Sequence, residues 1–234
     1  MKQPLFRIIA LLAGYLLFGT ANAQHTICTE TDSFAYRYPT FNQIDLVCGD
    51  APDTTDSSIA LCMPAAFSAL IKPDFDHINV AGWHIASGRL YKGFPCRNNT
   101  GGFVYYKDGT RKILNQEDYD KTVKENADSI FCAYGQCLVI WNKQVQEKFP
   151  RGPEWVANYR VLCDKQGKLF FFETTHAMPR ARFMDELAKL DVDNALYMEM
   201  GQDYNHGWWR NEDGSLNLQH SFYRGSNWVV FKKK

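Results

Sequence analysis

The chain reads LDVDNALYMEMG at residues 190–201 and continues as QDYNH at residues 202–206. The first residues end a predicted amphipathic helix, and NALY follows as a short apolar strand. That strand places Glu199 in a polar loop that contains Gly201. Acidic side chains held at strand ends on a rigid scaffold are a common way of building catalytic sites. Glu199 is therefore the first candidate for a functional residue.

The 234-residue chain begins with a segment typical of a secretory signal peptide. Lys2 and Arg7 precede an apolar run at residues 8–18, and residues 21–23 form an Ala-x-Ala cleavage site. The run is too short to span a bilayer comfortably, and no other stretch is long and apolar enough to do so. We expect residues 1–23 to be removed and the mature protein to be exported, to the periplasm or outside the cell, without a transmembrane segment.

The composition argues against a nucleic-acid partner. The chain has 26 basic and 26 acidic residues, so removing Lys2 and Arg7 leaves 24 against 26, a formal charge of −2. No basic stripe is visible, and nucleic-acid binding is therefore a poor hypothesis. The aromatic content of 15% suits either a packed core or stacking on sugar rings.

Seven cysteines follow the cleavage site, and export permits them to form disulfides. Cys28 with Cys48, and Cys62 with Cys96, are two candidate pairs, although sequence cannot fix the connectivity. Because the number is odd, one thiol is left over unless it pairs between chains. The Cys132–Cys137 spacing suits strand residues or a disulfide better than a metal, since no second pair at zinc spacing accompanies it. A catalytic cysteine ranks low. No metal and no cofactor are predicted.

Two hairpins and two helices stand out along the chain. Asp108-Gly109 and residues 164–167 each separate two strand-like segments. Asn115 is a predicted helix cap, and Pro179 begins a helix with one apolar face. The apolar residues 59–71 are predicted as a strand followed by a helix, and residues 76–84 as a buried strand that runs into a Gly turn. These patterns predict a single α+β domain, a mixed β-sheet with hairpins flanked by a few helices, over residues 59–234. A turn-rich segment tethered by a disulfide precedes it at residues 24–58.

The order of segments over roughly residues 75–210 resembles the bacterial phosphodiester glycosidase-like family. The sequences INVAGWH at 78–84, TGGFVYYKDG at 100–109 and GQCLV at 135–139 are similar to three of its segments, and Arg160 falls where an Arg leads a strand. NALYME at 194–199 matches an Asn-Ala-Leu-Tyr-Leu-Asp segment. The family has Asp-Gly at the acidic position, where this chain has Glu199-Met200.

The resemblance implies a hydrolase that acts on a sugar-phosphate or cell-envelope glycan. Glycosidic cleavage needs a proton donor and a group that activates water or attacks the sugar. We predict Glu199, Arg160 and His206 as catalytic, with Arg160 binding a phosphate and either His206 or His84 supplying a proton. The side chains predicted to bind substrate are those of Asn79, His84, Asp203 and Tyr197.

Each of these residues also has a structural interpretation. Glu199 would then be a solvated loop acid, Arg160 a surface ion-pair residue, and His206 a ring packed on a tryptophan. Correspondingly, a catalytically degenerate glycan-binding or envelope-scaffold protein of the same fold is the alternative function. A disulfide-stapled secreted effector without a pocket ranks last.

Overall fold

A computed structural model describes residues 25–69, 75–200, 206–219 and 226–233. The predicted signal peptide at residues 1–23 and the predicted site residue Asp203 lie outside them. The described residues form nineteen strands, numbered β1 to β19 in chain order, and two α-helices. No helix in this part of the chain is long and apolar enough to cross a membrane.

Seven strands form the first sheet, in the order β1-β2-β14-β13-β16-β10-β11, and every neighbouring pair is antiparallel. Their bounds are β1 Thr26–Glu30, β2 Phe34–Pro39, β10 Leu138–Trp141, β11 Gln144–Val145, β13 Arg160–Lys165, β14 Lys168–Thr174 and β16 Asn194–Tyr197. The hairpin of β13 and β14 closes through Gln166 and Gly167, which have φ values of 52° and 75°. Two positive φ values in a two-residue loop fit the strand twist, which explains why the Gln-Gly pair predicts this turn.

The remaining strands form two five-stranded sheets, which pack with the first sheet, and one two-stranded ladder. The second sheet has the order β18-β17-β4-β19-β3, with β3 Gln43–Gly49, β4 Ile59–Pro64, β17 Gly207–Arg210, β18 Leu216–Gln219 and β19 Ser226–Lys232. The third has the order β6-β5-β9-β7-β8, with β5 Trp83–Ala86, β6 Arg89–Lys92, β7 Gly101–Tyr106, β8 Arg111–Asn115 and β9 Ile130–Gln136. The short ladder pairs β12 Val156–Ala157 with β15 Met178–Pro179.

The two helices cover the outer faces of the sheets. Helix α1, Gln116–Glu125, is capped by Asn115, whose side-chain oxygen accepts the Asp118 N–H at 3.0 Å. Its Tyr119 ring lies so close to Gly102 of β7 that an added Cβ there would be 2.3 Å from the ring. Helix α2, Arg180–Lys189, follows Pro179 and buries Phe183, Met184 and Leu187 against the first sheet. Short 3-10 helices span His77–Asn79 and Ala127–Ser129.

The largest apolar core lies between the three sheets. It collects alternate residues of each strand, such as Leu46 of β3, Phe103 of β7 and Leu162 of β13. The intervening residues of β13, Val161 and Cys163, face α2 instead. Each fully buried Leu or Phe side chain contributes about 1.5–3 kcal/mol to folding. Alternation along strands, rather than helical amphipathicity, therefore builds most of this core.

The predicted α+β class is wrong. The described residues form four antiparallel sheets with only two α-helices, so the fold is β-rich. The apolar stretch from Ile59, predicted as a strand followed by a helix, forms β4 and then irregular backbone through residue 69. Residues 76–84, predicted as a buried strand that runs into a Gly turn, do have the turn at Gly82, but a 3-10 helix precedes it and β5 begins only after it.

The predicted disulfides are also wrong, because all seven cysteines are free. Cys62, Cys132 and Cys163 are completely buried in apolar surroundings. The segment 24–58, predicted to be rich in turns, contributes β1 and β2 to the first sheet and β3 to the second. Strand pairing, rather than a disulfide, holds this segment to the rest of the chain.

Candidate functional site

The backbone after β16 is held by hydrogen bonds to two neighbouring elements. The Met198 N–H donates to the Arg160 carbonyl oxygen at 3.0 Å, and the Glu199 N–H donates to the Ala65 carbonyl oxygen at 3.0 Å. Gln136 donates through Nε2 to the same Ala65 oxygen at 3.2 Å. The predicted strand NALY is confirmed as β16, and Glu199 follows it in a loop whose path is fixed on both sides. Such anchoring holds a side chain in one place, as a binding or catalytic site requires.

Glu199 lines a cavity of about 580 Å³ at the end of the first sheet, which we call the Glu199 cavity. The carboxylate residue is only 7% exposed. The cavity is lined by Phe67, Asn98, Phe149, Pro150, Arg151, Trp155, Val156, Ala157, Tyr159, Tyr197, Glu199 and Met200. Its volume falls within the range of pockets that hold small ligands.

Aromatic side chains make up much of the wall. The rings of Phe149 and Tyr197 meet edge to face with centroids 5.1 Å apart. Trp155 is 50% exposed, and the Arg151 guanidinium lies 4.7 Å from its ring centroid. Exposed ring faces beside polar groups suit a ligand with one apolar and one polar side, which is the character of a sugar ring.

The polar groups of the cavity are few. Among the described lining residues, Glu199 is the only carboxylate and Arg151 the only cation. Burial and the nearby Glu199 carboxylate raise the pKa of Tyr197 above its usual range. The Tyr197 hydroxyl therefore keeps its proton at neutral pH and remains a hydrogen-bond donor. The predicted residues Glu199 and Tyr197 are thus brought together at one site.

Arg160 points to the other side of its strand, into a buried polar group that we call the arginine–glutamate cluster (Arg37, Arg160, Glu173 and Gln219). The Arg160 Nε donates to Glu173 Oε2 at 2.6 Å, and Arg37 Nε donates to Glu173 Oε1 at 2.6 Å. Arg160 also donates to the Gln219 side chain and, at 3.1 Å, to the His206 carbonyl oxygen. The guanidinium is completely buried and is committed to these internal partners.

Two opposing effects act on the pKa of Glu173 in this cluster. Burial alone would raise the pKa of this carboxyl, but the adjacent Arg160 and Arg37 guanidiniums outweigh burial and lower its pKa. Arg37 also packs over Trp209, with the guanidinium carbon 3.6 Å from the ring centroid. Glu173 therefore pairs with both buried guanidiniums between the first and second sheets, and Arg37 has a second, exposed carboxylate partner in Glu30 at 3.2 Å.

The sequence did contain a signal for Glu173. It is the one carboxylate in the strand KLFFFET, where a buried charge needs a partner. Once the turn at Gln166-Gly167 sets the register, Arg160 lies directly opposite Glu173. A predicted hairpin thus implies the ion pair, which we did not predict.

The other predicted residues lie in different places. His206 meets Arg160 through its backbone carbonyl, and its buried ring lies 6.0 Å from that of Trp228. Asn79 belongs to the 3-10 helix, and His84 lies in β5 with Nε2 3.0 Å from Nδ1 of His77. Neither Asn79 nor His84 is among the described residues that line the Glu199 cavity. The predicted residues are therefore distributed over three regions.

Sequence reasoning missed the loop that forms one wall of the cavity, residues 149–157. The signal in the sequence was a pair of apolar residues, Trp155 and Val156, in a polar stretch with Pro150 and Gly152. Both apolar side chains are exposed in the structure. Exposed aromatic residues on an irregular loop are typical of binding surfaces.

The comparisons with known proteins agree with this architecture at the level of the fold. The catalytic domain of zebrafish N-acetylglucosamine-1-phosphodiester alpha-N-acetylglucosaminidase, auto-inhibited by its pro-peptide, is similar with a TM-score of 0.58 at 11% identity, over 93% of this chain and 85% of that one. A hypothetical protein from Synechocystis is similar with a TM-score of 0.50 at 12% identity, over 89% of this chain and 61% of that one. No family model and no curated protein matches the sequence. The chain thus has a distant fold relationship to a phosphodiester glycosidase domain, and the closer family membership expected from the sequence is not supported.

Proposed function

We propose that this chain is an exported hydrolase that cleaves a sugar-phosphate or a related cell-envelope glycan in the Glu199 cavity. The observation that carries the proposal is a buried carboxylate, beside a neutral tyrosine, in an aromatic-walled cavity of about 580 Å³. The fold likeness to a phosphodiester glycosidase domain supports the reaction class. The signal-peptide pattern at residues 1–23 supports export.

The cavity residues divide the work as follows. Trp155 and Phe149 offer ring faces to the sugar, and Tyr197 and Asn98 offer hydrogen bonds to its hydroxyl groups. Glu199 activates the water that attacks the anomeric carbon or protonates the departing oxygen. A phosphate is already a good leaving group, so stabilising its charge contributes as much as protonating it.

Arg151 takes the phosphate-binding part that the sequence assigned to Arg160. Arg151 lines the cavity, whereas the Arg160 guanidinium is committed to Glu173, Gln219 and the His206 carbonyl. A guanidinium fork matches the geometry of two phosphate oxygens. The substrate predicted from this arrangement carries its negative charge next to the residue 149–157 loop.

The test is hydrolysis of a panel of sugar-1-phosphodiesters by the purified chain and by Glu199→Gln. We expect the variant to lose at least about 100-fold in rate, the usual contribution of a general acid or base. Glu125→Gln is the matched control, because Glu125 is an exposed carboxylate at the end of α1. Equal rates for Glu199→Gln and the wild type would refute the assigned role.

One observation favours a second candidate, a glycan-binding protein of this fold without hydrolytic activity. Ordinary glycoside hydrolysis uses two carboxyl groups, and Glu199 is the only one among the described residues that line the cavity. A wild-type chain that binds a sugar phosphate in calorimetry and leaves it intact would support this alternative. Trp155→Ala would then weaken binding, and Glu125→Gln would not.

A further inference from the structure

A second group of reactive side chains lies outside the Glu199 cavity, where β3 of the second sheet packs against the third sheet. Cys48 comes from β3, His77 from the 3-10 helix and His84 from β5. Their donor atoms, one sulfur and two ring nitrogens, all lie within 4.8 Å of one another. The Nδ1 atom of His77 and the Nε2 atom of His84 are 3.0 Å apart. Three donors from three separate elements therefore converge on one point.

Strand alternation brings Cys48 and His84 to this point. Along β3, Leu46 and Cys48 both contact the large core between the sheets. Along β5, Ala86 contacts the same core, whereas Ile85 faces α1. His84 is two residues from Ala86 and shares its face of the strand. The convergence thus follows from the packing of the second sheet against the third.

A backbone contact orients His84. Its Nδ1 lies 3.3 Å from the Gly82 carbonyl oxygen, which can only accept, so this nitrogen carries the proton. Nε2 consequently keeps its lone pair, and that lone pair faces His77. A ring N–H bonded to a backbone carbonyl is the usual outer-shell support of a metal-binding histidine. Gly82 has a φ of 74° and forms the turn that joins the 3-10 helix to β5.

Stacking orients His77. Its ring lies flat on that of Tyr91, with centroids 3.4 Å apart and an interplanar angle of 5°. The backbone N–H of His77 donates to the Asp76 side chain at 2.6 Å, which fixes the start of the 3-10 helix. Both imidazoles are therefore held in place before any ligand arrives. Such preorganisation reduces the cost of binding.

The charges around the cluster favour a cation. The carboxylates of Asp76 and Asp45 act electrostatically on Cys48, so negative charge surrounds the sulfur. The Cys48 sulfur and the two ring nitrogens of His77 and His84 offer lone pairs to a metal ion at one point. A divalent metal ion displaces a thiol proton when it binds.

We propose that Cys48, His77 and His84 bind one zinc ion through one sulfur and two ring nitrogens. Zinc bonds of about 2.3 Å to sulfur and about 2.0 Å to nitrogen place tetrahedral donor atoms roughly 3.3–3.6 Å apart, which needs only small adjustments here. Mixed thiolate and imidazole ligands suit zinc and exclude magnesium and calcium. Three protein ligands leave a fourth position for water. Cys48 and His77 are half-buried, so an ion has a route from solvent.

Metal binding by the purified full-length chain, reduced and stripped with a chelator, tests this site. We expect one zinc per chain in calorimetry. Cobalt(II) should give the intense visible bands of a tetrahedral ion and a thiolate charge-transfer band. Because the ligands join two sheets, zinc at about 100 times its Kd should raise Tm on the order of 5–10 °C. None of these readouts depends on hydrolysis, so they are independent of the proposed enzyme activity.

Matched variants separate this site from adventitious binding. Cys48→Ser and His77→Ala change half-buried residues, and each should weaken zinc binding more than the roughly 10- to 100-fold loss caused by removing an outer-shell partner. Cys96→Ser and His176→Ala are the controls, a half-buried cysteine and an exposed histidine outside the cluster. Unchanged zinc affinity in Cys48→Ser and His77→Ala would overturn the proposal. A cobalt spectrum without the thiolate band would overturn the assignment of Cys48.

Discussion

The arginine–glutamate cluster and the Glu199 cavity occupy the same sheet but handle charge in opposite ways. In the cluster, one buried carboxylate lies between two guanidiniums, and the Nε atom of each donates to it at 2.6 Å. In the cavity, a buried carboxylate faces a space of about 580 Å³ next to Tyr197. A strand-end location and a family-like position therefore do not separate a structural charge from a candidate catalytic one. The two carboxylates differ in their surroundings, because two guanidiniums contact Glu173 whereas Glu199 lines a cavity.

The largest effect on stability is expected from removing the carboxylate of the arginine–glutamate cluster. Glu173→Ala leaves the buried Arg160 guanidinium without its anion and leaves Arg37 with the exposed Glu30 alone, and breaking a buried pair costs about 3–5 kcal/mol. We expect a corresponding loss in the free energy of unfolding by urea. Glu186→Ala is the control, since Glu186 pairs with Lys189 on the exposed face of α2, where a surface pair contributes at most about 1 kcal/mol. Similar losses in the two variants would show that the cluster is not a structural unit.

Removing the carboxylate of the Glu199 cavity should lower the hydrolysis rate and leave the free energy of unfolding nearly unchanged. Glu199→Gln keeps the size of the side chain and one of its hydrogen-bonding oxygens, so we expect the free energy of unfolding to stay within about 1 kcal/mol of the wild type. The same variant should lose at least about 100-fold in hydrolysis rate. Unfolding curves and initial rates measured on one preparation would check both statements. A large loss of stability would place Glu199 with the structural charges.

The next largest effect is expected in the dependence of Tm on acid pH, to which Glu173 contributes. The pKa of Glu173 is lower in the folded chain than its ordinary value of 4.5. A lowered pKa adds stability that is complete above the unfolded-state value and is lost as the pH falls through the folded-state value. We therefore expect Tm to fall below about pH 4.5 by a larger amount in the wild type than in Glu173→Gln. Parallel Tm curves for the two proteins would contradict the sign of this linkage.

The smallest effect concerns the wall of the cavity. Trp155→Ala removes a half-exposed ring and should weaken binding of a sugar phosphate by roughly tenfold, while unfolding changes by about 0.5 kcal/mol or less. Calorimetry with wild type and variant measures the first, and urea denaturation the second. Trp141→Ala tests a second partly buried tryptophan that does not line the cavity. Equal weakening by both would remove the cavity as the binding site.

Local patterns predicted the elements with strong chemistry of their own. The turns at Asp108-Gly109 and Gln166-Gly167, the Asn115 cap and the strand before Glu199 are all confirmed. In contrast, the fold class was wrong because apolar stretches such as the one from Ile59 satisfy a helix and a strand equally well by composition. The predicted disulfides failed because the cysteines of each pair lie in separate elements, Cys28 in β1 and Cys48 in β3, Cys62 in β4 and Cys96 after β6, and packing leaves their thiols free.

The sequence by itself determined the hairpin registers, and with them the Arg160–Glu173 pair, because side-chain alternation and turn geometry act over a few residues. It also determined that Glu199 follows a strand. Only the tertiary structure decided that Glu199 opens on a cavity, that Arg160 does not, and that Cys48 meets His77 and His84. These outcomes depend on how separate sheets pack, and residues as far apart as 48 and 84 carry no local signal of their contact. The packing of one sheet on another therefore decides which glutamate is a structural charge and which is the proposed catalytic group. It also brings together the ligands of the proposed metal site.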